Sequence, residues 1–148
     1  MRKTIAAILG LLLLSCAKEA EVLSDFQEFT EISQSISNNR VNAFVQDGEG
    51  CVWIATDRGV NRYNGYDYHC WYHTDNPSSL CDNQVKAIAV DNDGNVWCGT
   101  INGVCRYTDK DDFKTVPVGG STLIRNIFLT PGGNLVVCTI NSIEVLEK

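Results

Sequence analysis

Short apolar runs alternate with polar, glycine-bearing segments along most of the chain. "VNAFVQ" (41–46) and "VKAIAV" (85–90) are apolar stretches bounded by polar residues, the pattern expected of strands buried on both faces. Each leads into Asp-x-x-Gly (Asp47 to Gly50, Asp91 to Gly94), which suits a type I turn with Asp first and Gly fourth. Second strands follow in "CVWIAT", "NVWCGT" and "NLVVCT". "TDRG" and "TING" read as three-residue hairpin loops with a left-handed glycine, leading to third strands "VNRY" and "VCRY". "YDYHCWYH" supplies a fourth strand before the loop "TDNPSSL". With a three-residue loop, Thr100 pairs with Val104, Gly99 faces Cys105 and Cys98 faces Arg106. The two cysteines then project to opposite faces and are expected to remain free thiols.

The run of strands is written more than once. Trp53 and Trp97 lie 44 residues apart, and the same offset relates Val41 to Val85, Asp47 to Asp91, Thr56 to Thr100, Gly59 to Gly103 and Tyr63 to Tyr107. A third, drifted copy begins 39 residues after the second, with Ile124 at the station of Val85. There "TPGG" sets Pro131 at the second turn position, where its fixed φ belongs. Thr130 replaces the Asp and Val136 the Trp. Four antiparallel strands about every 40 residues is the rhythm of β-propeller blades. An all-β sandwich competes, but sandwiches do not repeat whole four-strand units with matched turns. The expected fold is therefore all-β: about three four-stranded antiparallel propeller blades, making an incomplete propeller. The repeats span 36–79, 80–118 and 119–148, the last lacking a fourth strand. Within 16–35, Phe26 and Phe29 have the spacing of Tyr68 and Trp71, so this segment reads as the outer strand of a terminal blade. The open stack is expected to need the remaining blades of a longer propeller, or a second copy of the chain.

Composition changes the picture at the N-terminus. "MRK" and the apolar "TIAAILGLLLL" form a signal peptide over 1–15, too short for a comfortable transmembrane helix. "LLSC" resembles a bacterial lipobox, which makes Cys16 the expected lipidation site and a membrane anchor; ordinary signal cleavage is the alternative. Either way the chain is expected to be exported, to the periplasm or cell envelope. The net charge of −6, with dispersed acids, argues against a nucleic-acid partner. Six further cysteines would meet an oxidising compartment, yet none has zinc-ligand spacing. Several align with small or apolar residues of the other repeats and read as small hydrophobes.

The stretches Asn39 to Tyr63 and Asn83 to Tyr107 carry N-x-V, then D-x-x-G, W-(I/C)-(A/G)-T, G-V and R-Y at fixed spacing. They resemble the two-component regulator propeller repeat. That resemblance implies large propellers in the periplasmic sensor half of hybrid two-component regulators, with polysaccharide fragments as typical ligands. The kinase, receiver and DNA-binding modules of such regulators do not occur in this sequence.

The chemistry-bearing residues are weighed against structural roles. Trp53 and Trp97 recur at one strand position and read as interblade packing rather than sugar platforms. The aromatic group Tyr63, Tyr66, Tyr68, Trp71 and Tyr72 falls on outer strands. "DNDGN" has the wrong spacing for a calcium loop. His69 and His73 have no nucleophile in a recognisable pattern, so no catalytic residue, metal or cofactor is expected. Propeller ligands commonly sit over the central channel, near the loops entering the innermost strands and the tips joining second to third strands. Those positions carry Asn39, Arg40, Asn42, Asn83, Lys86 and Arg125, with Arg58 and Asn102 at the tips. Their amides and cations suit hydroxyls and uronate carboxylates; solvated loop tips are the plain alternative. The expected function is a non-enzymatic sensor or ligand-binding module responding to an oligosaccharide. The alternative is a free-standing surface lipoprotein that binds glycans or proteins without signalling.

Overall fold

The structure, a computed structural model, describes residues 35–108 and 110–147. Cys16 and the proposed outer strand around Phe26 and Phe29 lie outside the described residues. Among the described residues, eleven strands fall into three antiparallel sheets. The first contains β1 (Val41–Gln46), β2 (Val52–Thr56), β3 (Gly59–Tyr63) and β4 (Tyr68–Trp71) in sequential order. The second repeats that order with β5 (Val85–Val90), β6 (Val96–Thr100), β7 (Gly103–Tyr107) and β8 (Phe113–Val116). The third has three strands, β9 (Ile124–Leu129), β10 (Leu135–Thr139) and β11 (Ile143–Leu146). β1 contacts β5 and β5 contacts β9, so the first strand of each sheet is the innermost. Three stacked propeller blades result.

The turns explain the regularity. Gly50, Gly94 and Gly133 donate their N–H groups to the carbonyls of Asp47, Asp91 and Thr130, closing each first hairpin across four residues. All three have φ near +85°, which an L side chain rarely adopts. The Asp-x-x-G reading holds in every copy, including the one where Thr130 replaces Asp.

The second hairpin differs from expectation. Thr56 pairs with Gly59 and Thr100 with Gly103, leaving only two residues in each loop. The Thr100 hydroxyl donates to the Gly103 carbonyl at 2.9 Å and accepts the Asn102 N–H at 3.1 Å. Thr56 does the same with Gly59 and Arg58. The glycine, at φ +103° in the first blade and +117° in the second, is thus the first strand residue and not part of the loop. Register moves by one step, and Cys98 lies directly opposite Cys105.

Two apolar layers join the blades. Trp53, Ala55 and Val60 of blade 1 meet Ile88, Val96, Cys98 and Cys105 of blade 2. Ala87, Ala89 and Val104 on the other side of blade 2 meet Ile124, Ile127, Leu135 and Val137. Gly99 is needed in this second layer, because a Cβ there would stand 2.6 Å from Ile124 Cγ2. β5, between two blades, is buried on both faces as its sequence predicts. β1 is not: Val41 and Phe44 are 47% and 75% exposed. The pattern that predicts a doubly buried strand requires a blade on each side, and among the described residues β1 has one only on the side of blade 2. Cys98 and Cys105 are fully buried and Cys81 nearly so, as small hydrophobes would be, whereas Cys138 is only half-buried.

Candidate functional site

The start of the innermost strands carries a compact charged group. Asp57, at the tip between β2 and β3, accepts hydrogen bonds from Asn42 Nδ2 at 2.8 Å and Lys86 Nζ at 2.6 Å. Its other oxygen pairs with Arg40 Nε at 3.1 Å. These contacts, with Asn42 and Lys86 donating most, hold the Asp57 carboxyl below the usual carboxylate range. Asn42 also donates to the Val85 carbonyl at 2.7 Å, so its amide bridges blades 1 and 2. Asp57 was legible as a tip residue; its role as the hub of this group was not, because the partners come from two other segments.

The eight proposed rim residues therefore divide. Asn42 is committed to the blade contact. Asn83 accepts the His73 N–H through its side-chain oxygen at 2.8 Å, and its carbonyl accepts the Gly59 N–H. Asn102 lies within 3.5 Å of the Cys81 carbonyl. These amides serve the scaffold. Arg40, Lys86, Arg58 and Arg125 form the charged remainder, and Asn39 is exposed beside Arg40. Arg40 is 76% exposed despite its ion pair. Among the described residues, no ion pair involves Arg58 or Arg125. Asn42, Lys86 and Arg125 stand at one station of the three repeats, so a cation occupies it in blades 2 and 3.

The opposite turn is built from a different group. Trp53 donates its indole N–H to Asp47, and Arg62 reaches both Asp47 and Glu49. Asp47, Glu49 and Cys51 bring possible ligand atoms within 4.8 Å of one another. Arg62 already compensates both carboxylates there. The outer aromatics also pack internally: Trp71 stacks on Trp53 at 5.2 Å, and Tyr63 on Tyr68 at 4.7 Å. Tyr66, by contrast, is 84% exposed.

The model of the two component regulator propeller matches at residues 35–58 and 79–102. Those segments coincide with the entering loop and first two strands of blades 1 and 2. These two segments are similar to the two-component regulator propeller repeat. Among solved structures, it is similar to the extracellular domain assigned to the hybrid two component system BT3049 from B. thetaiotaomicron. That match has a TM-score of 0.71 and 24% identity, over 81% of this chain and 18% of that one. The domain assigned to the one component system BT4673 of the same organism gives 0.65 and 20%, over 77% and 17%. Virginiamycin B lyase from Staphylococcus aureus matches with 0.63 and 19%, over 84% of this chain and 44% of the lyase. The chain thus spans less than a fifth of the two regulator domains, and these likenesses bear on the fold alone. No curated relative matches the sequence. The regulator propeller repeat accounts for the spacing of the Asp, Gly, Trp and Thr stations, each of which has a hydrogen-bonding or packing role.

Proposed function

We propose that this chain is part of an exported, non-catalytic sensor propeller whose ligand is an anionic polysaccharide fragment. The ligand would bind over the rim where the innermost strands begin. The observation carrying this reading is the series Arg40, Lys86 and Arg125 along that rim, with Arg58 at a neighbouring tip. Guanidinium groups pair with carboxylates in bidentate geometry, and ammonium groups add a point charge. Uronate-bearing oligosaccharides combine such carboxylates with hydroxyls for Asn39. The regulator propeller repeats support the sensor assignment, and the leader sequence before Cys16 supports export.

Titration calorimetry with a uronate oligosaccharide and a neutral one of equal length tests the reading. The uronate should bind more tightly, and Arg125→Glu should weaken it about tenfold, a loss of about 1.4 kcal/mol. Equal binding of both sugars, unchanged by Arg125→Glu, would remove the anionic site. A second reading, a surface lipoprotein that binds glycans or proteins without signalling, draws on "LLSC". Palmitate labelling that persists in Cys16→Ser would count against that anchor.

A further inference from the structure

In blades 1 and 3 the segment that enters the sheet is fastened to the same station of the third strand. In blade 1, Ser37 N–H donates to Asn61 Oδ1 at 2.8 Å, and Asn61 Nδ2 donates back to Ser37 Oγ at 2.8 Å. In blade 3, the Gly119 N–H donates to Glu144 Oε2 at 2.6 Å. Asn61, Cys105 and Glu144 are equivalent by the repeat offsets, as are Ser37 and Cys81. In blade 2 both members of the fastening are therefore thiols. Cys81 and Cys105 are buried in the same apolar layer, and Cys81 Sγ lies 3.6 Å from the hydroxyl of Thr115, the residue paired with Cys105 on β8. A thiol is a weak donor and a weak acceptor, so this pair holds the entering segment less firmly than Ser37 holds Asn61.

We propose that Cys81 and Cys105 form a disulfide that ties the segment entering blade 2 to the centre of β7. The repeat supplies the geometric argument, because both chains already converge at this station in the neighbouring blades without bond formation. Cys98, which faces Cys105 across the hairpin, stands where blade 1 has the apolar Ile54. Contact with Cys105 and burial raise the Cys81 thiol well above its ordinary range, so in the folded blade it is a poor nucleophile. The bond accordingly belongs to folding. One cysteine thiolate attacks a disulfide-bearing exchange partner, and the second then displaces that partner. Two thiol protons and two electrons leave the protein, and the exchange partner's disulfide is reduced to two thiols. Formation in the cell rests on the export proposed above; formation in vitro does not.

The test is refolding of the full chain in a buffer of oxidised and reduced glutathione, followed by alkylation and tryptic mass mapping without reductant. Cleavage after Arg62, Lys86 and Arg106 puts Cys70 and Cys81 on peptide 63–86, and Cys98 and Cys105 on 87–106. The two peptides should be found joined, with fragment ions placing the bond at Cys81 and Cys105. The joined species should disappear in Cys105→Ser and persist in Cys98→Val and Cys70→Ser. Full alkylation of all four thiols would overturn the proposal. So would an internal bond within 87–106, or a bond through Cys70. A bond made in glutathione but missing from chain recovered from the cell envelope would uphold the pairing and overturn the export reading.

Discussion

Trp53 donates its indole N–H to Asp47 Oδ2 at 2.8 Å, and 44 residues later Trp97 does the same to Asp91 at 2.9 Å. The acid that opens the turn thus also holds the tryptophan that fills the blade interface. Asp47 additionally accepts the Glu49 and Cys51 N–H groups through its other oxygen. Three structural levels meet on one carboxylate: turn, strand and interblade layer. In the third repeat both partners change together, to Thr130 and Val136. Thr130 keeps the turn function, accepting the Asn134 N–H at 3.1 Å, and no indole remains to be held.

Asp47→Ala removes the acceptor of the indole N–H and of two backbone N–H groups, and one partner of Arg62. The cost should be about 1–3 kcal/mol, since buried donors are left unpaired. Urea unfolding of the full chain measures it. Thr130→Ala should cost less, because only turn contacts are lost. An equal loss at both positions would refute the role assigned to the Asp–Trp bond.

Much of this was legible in the sequence because periodic identity marks stations, and apolar runs mark strands. The turn after each first strand was readable because Gly at positive φ leaves a chemical signature, and Pro131 fits the same turn. The second hairpin was misread for a physical reason. A glycine in the left-handed region fits either inside a loop or as the residue closing it, and Thr100 decides between these through hydrogen bonds that spacing does not reveal. The rim residues were legible as a set of polar tips. Their division into scaffold amides and a cationic series was not, because Asn42 bonds across a blade interface to a backbone carbonyl.

Gly99→Ala should destabilise the layer between blades 2 and 3. A methyl there would sit 2.6 Å from Ile124 Cγ2 and 2.9 Å from Ile127 Cδ1, both on fully or nearly buried side chains. Overpacking of this kind costs about 1–3 kcal/mol. Gly48→Ala is the matched control, with no atom within 4 Å of the added Cβ and no positive φ. It should stay within about 0.5 kcal/mol of the parent. Similar melting shifts for the two variants would contradict the packing described.

Acid should weaken the fold through three carboxylates. Burial pushes Asp47 and Asp91 up. The indole, backbone and side-chain hydrogen bonds outweigh it in both, aided at Asp47 by Arg62, and the net shift is downward. Asp57 is lowered chiefly by Asn42 and Lys86. A depressed folded pKa means the unfolded chain binds protons more readily. The contribution is therefore complete above the unfolded value of 3.8 and is lost as pH falls below it, through the folded values. Urea midpoints should hold level from neutral pH to about 5 and then decline. In Asp47→Ala the decline should be shallower; an unchanged slope would show that Asp47 is not among the groups responsible.

Asp57 competes with any anionic ligand for the cations of the rim, so its removal should move stability and binding in opposite directions. Asp57→Asn keeps the shape of the side chain and its capacity to accept from Asn42, but it releases Lys86 and Arg40 from their carboxylate. The lost ion pairs are partly solvent-exposed, so the stability cost should be small, roughly 1 kcal/mol or less. The freed charges should tighten binding of a uronate oligosaccharide by up to about tenfold, because the cations no longer have to leave a carboxylate to meet the ligand. That gain should shrink as salt rises from low ionic strength to about 0.5 M, where charges more than about 4–5 Å apart are screened. Neutral oligosaccharide serves as the comparison, since its binding should not respond to Asp57→Asn or to salt. If Asp57→Asn weakens uronate binding without loss of fold, Asp57 itself contacts the ligand through sugar hydroxyls, and the cationic series is not the recognition element.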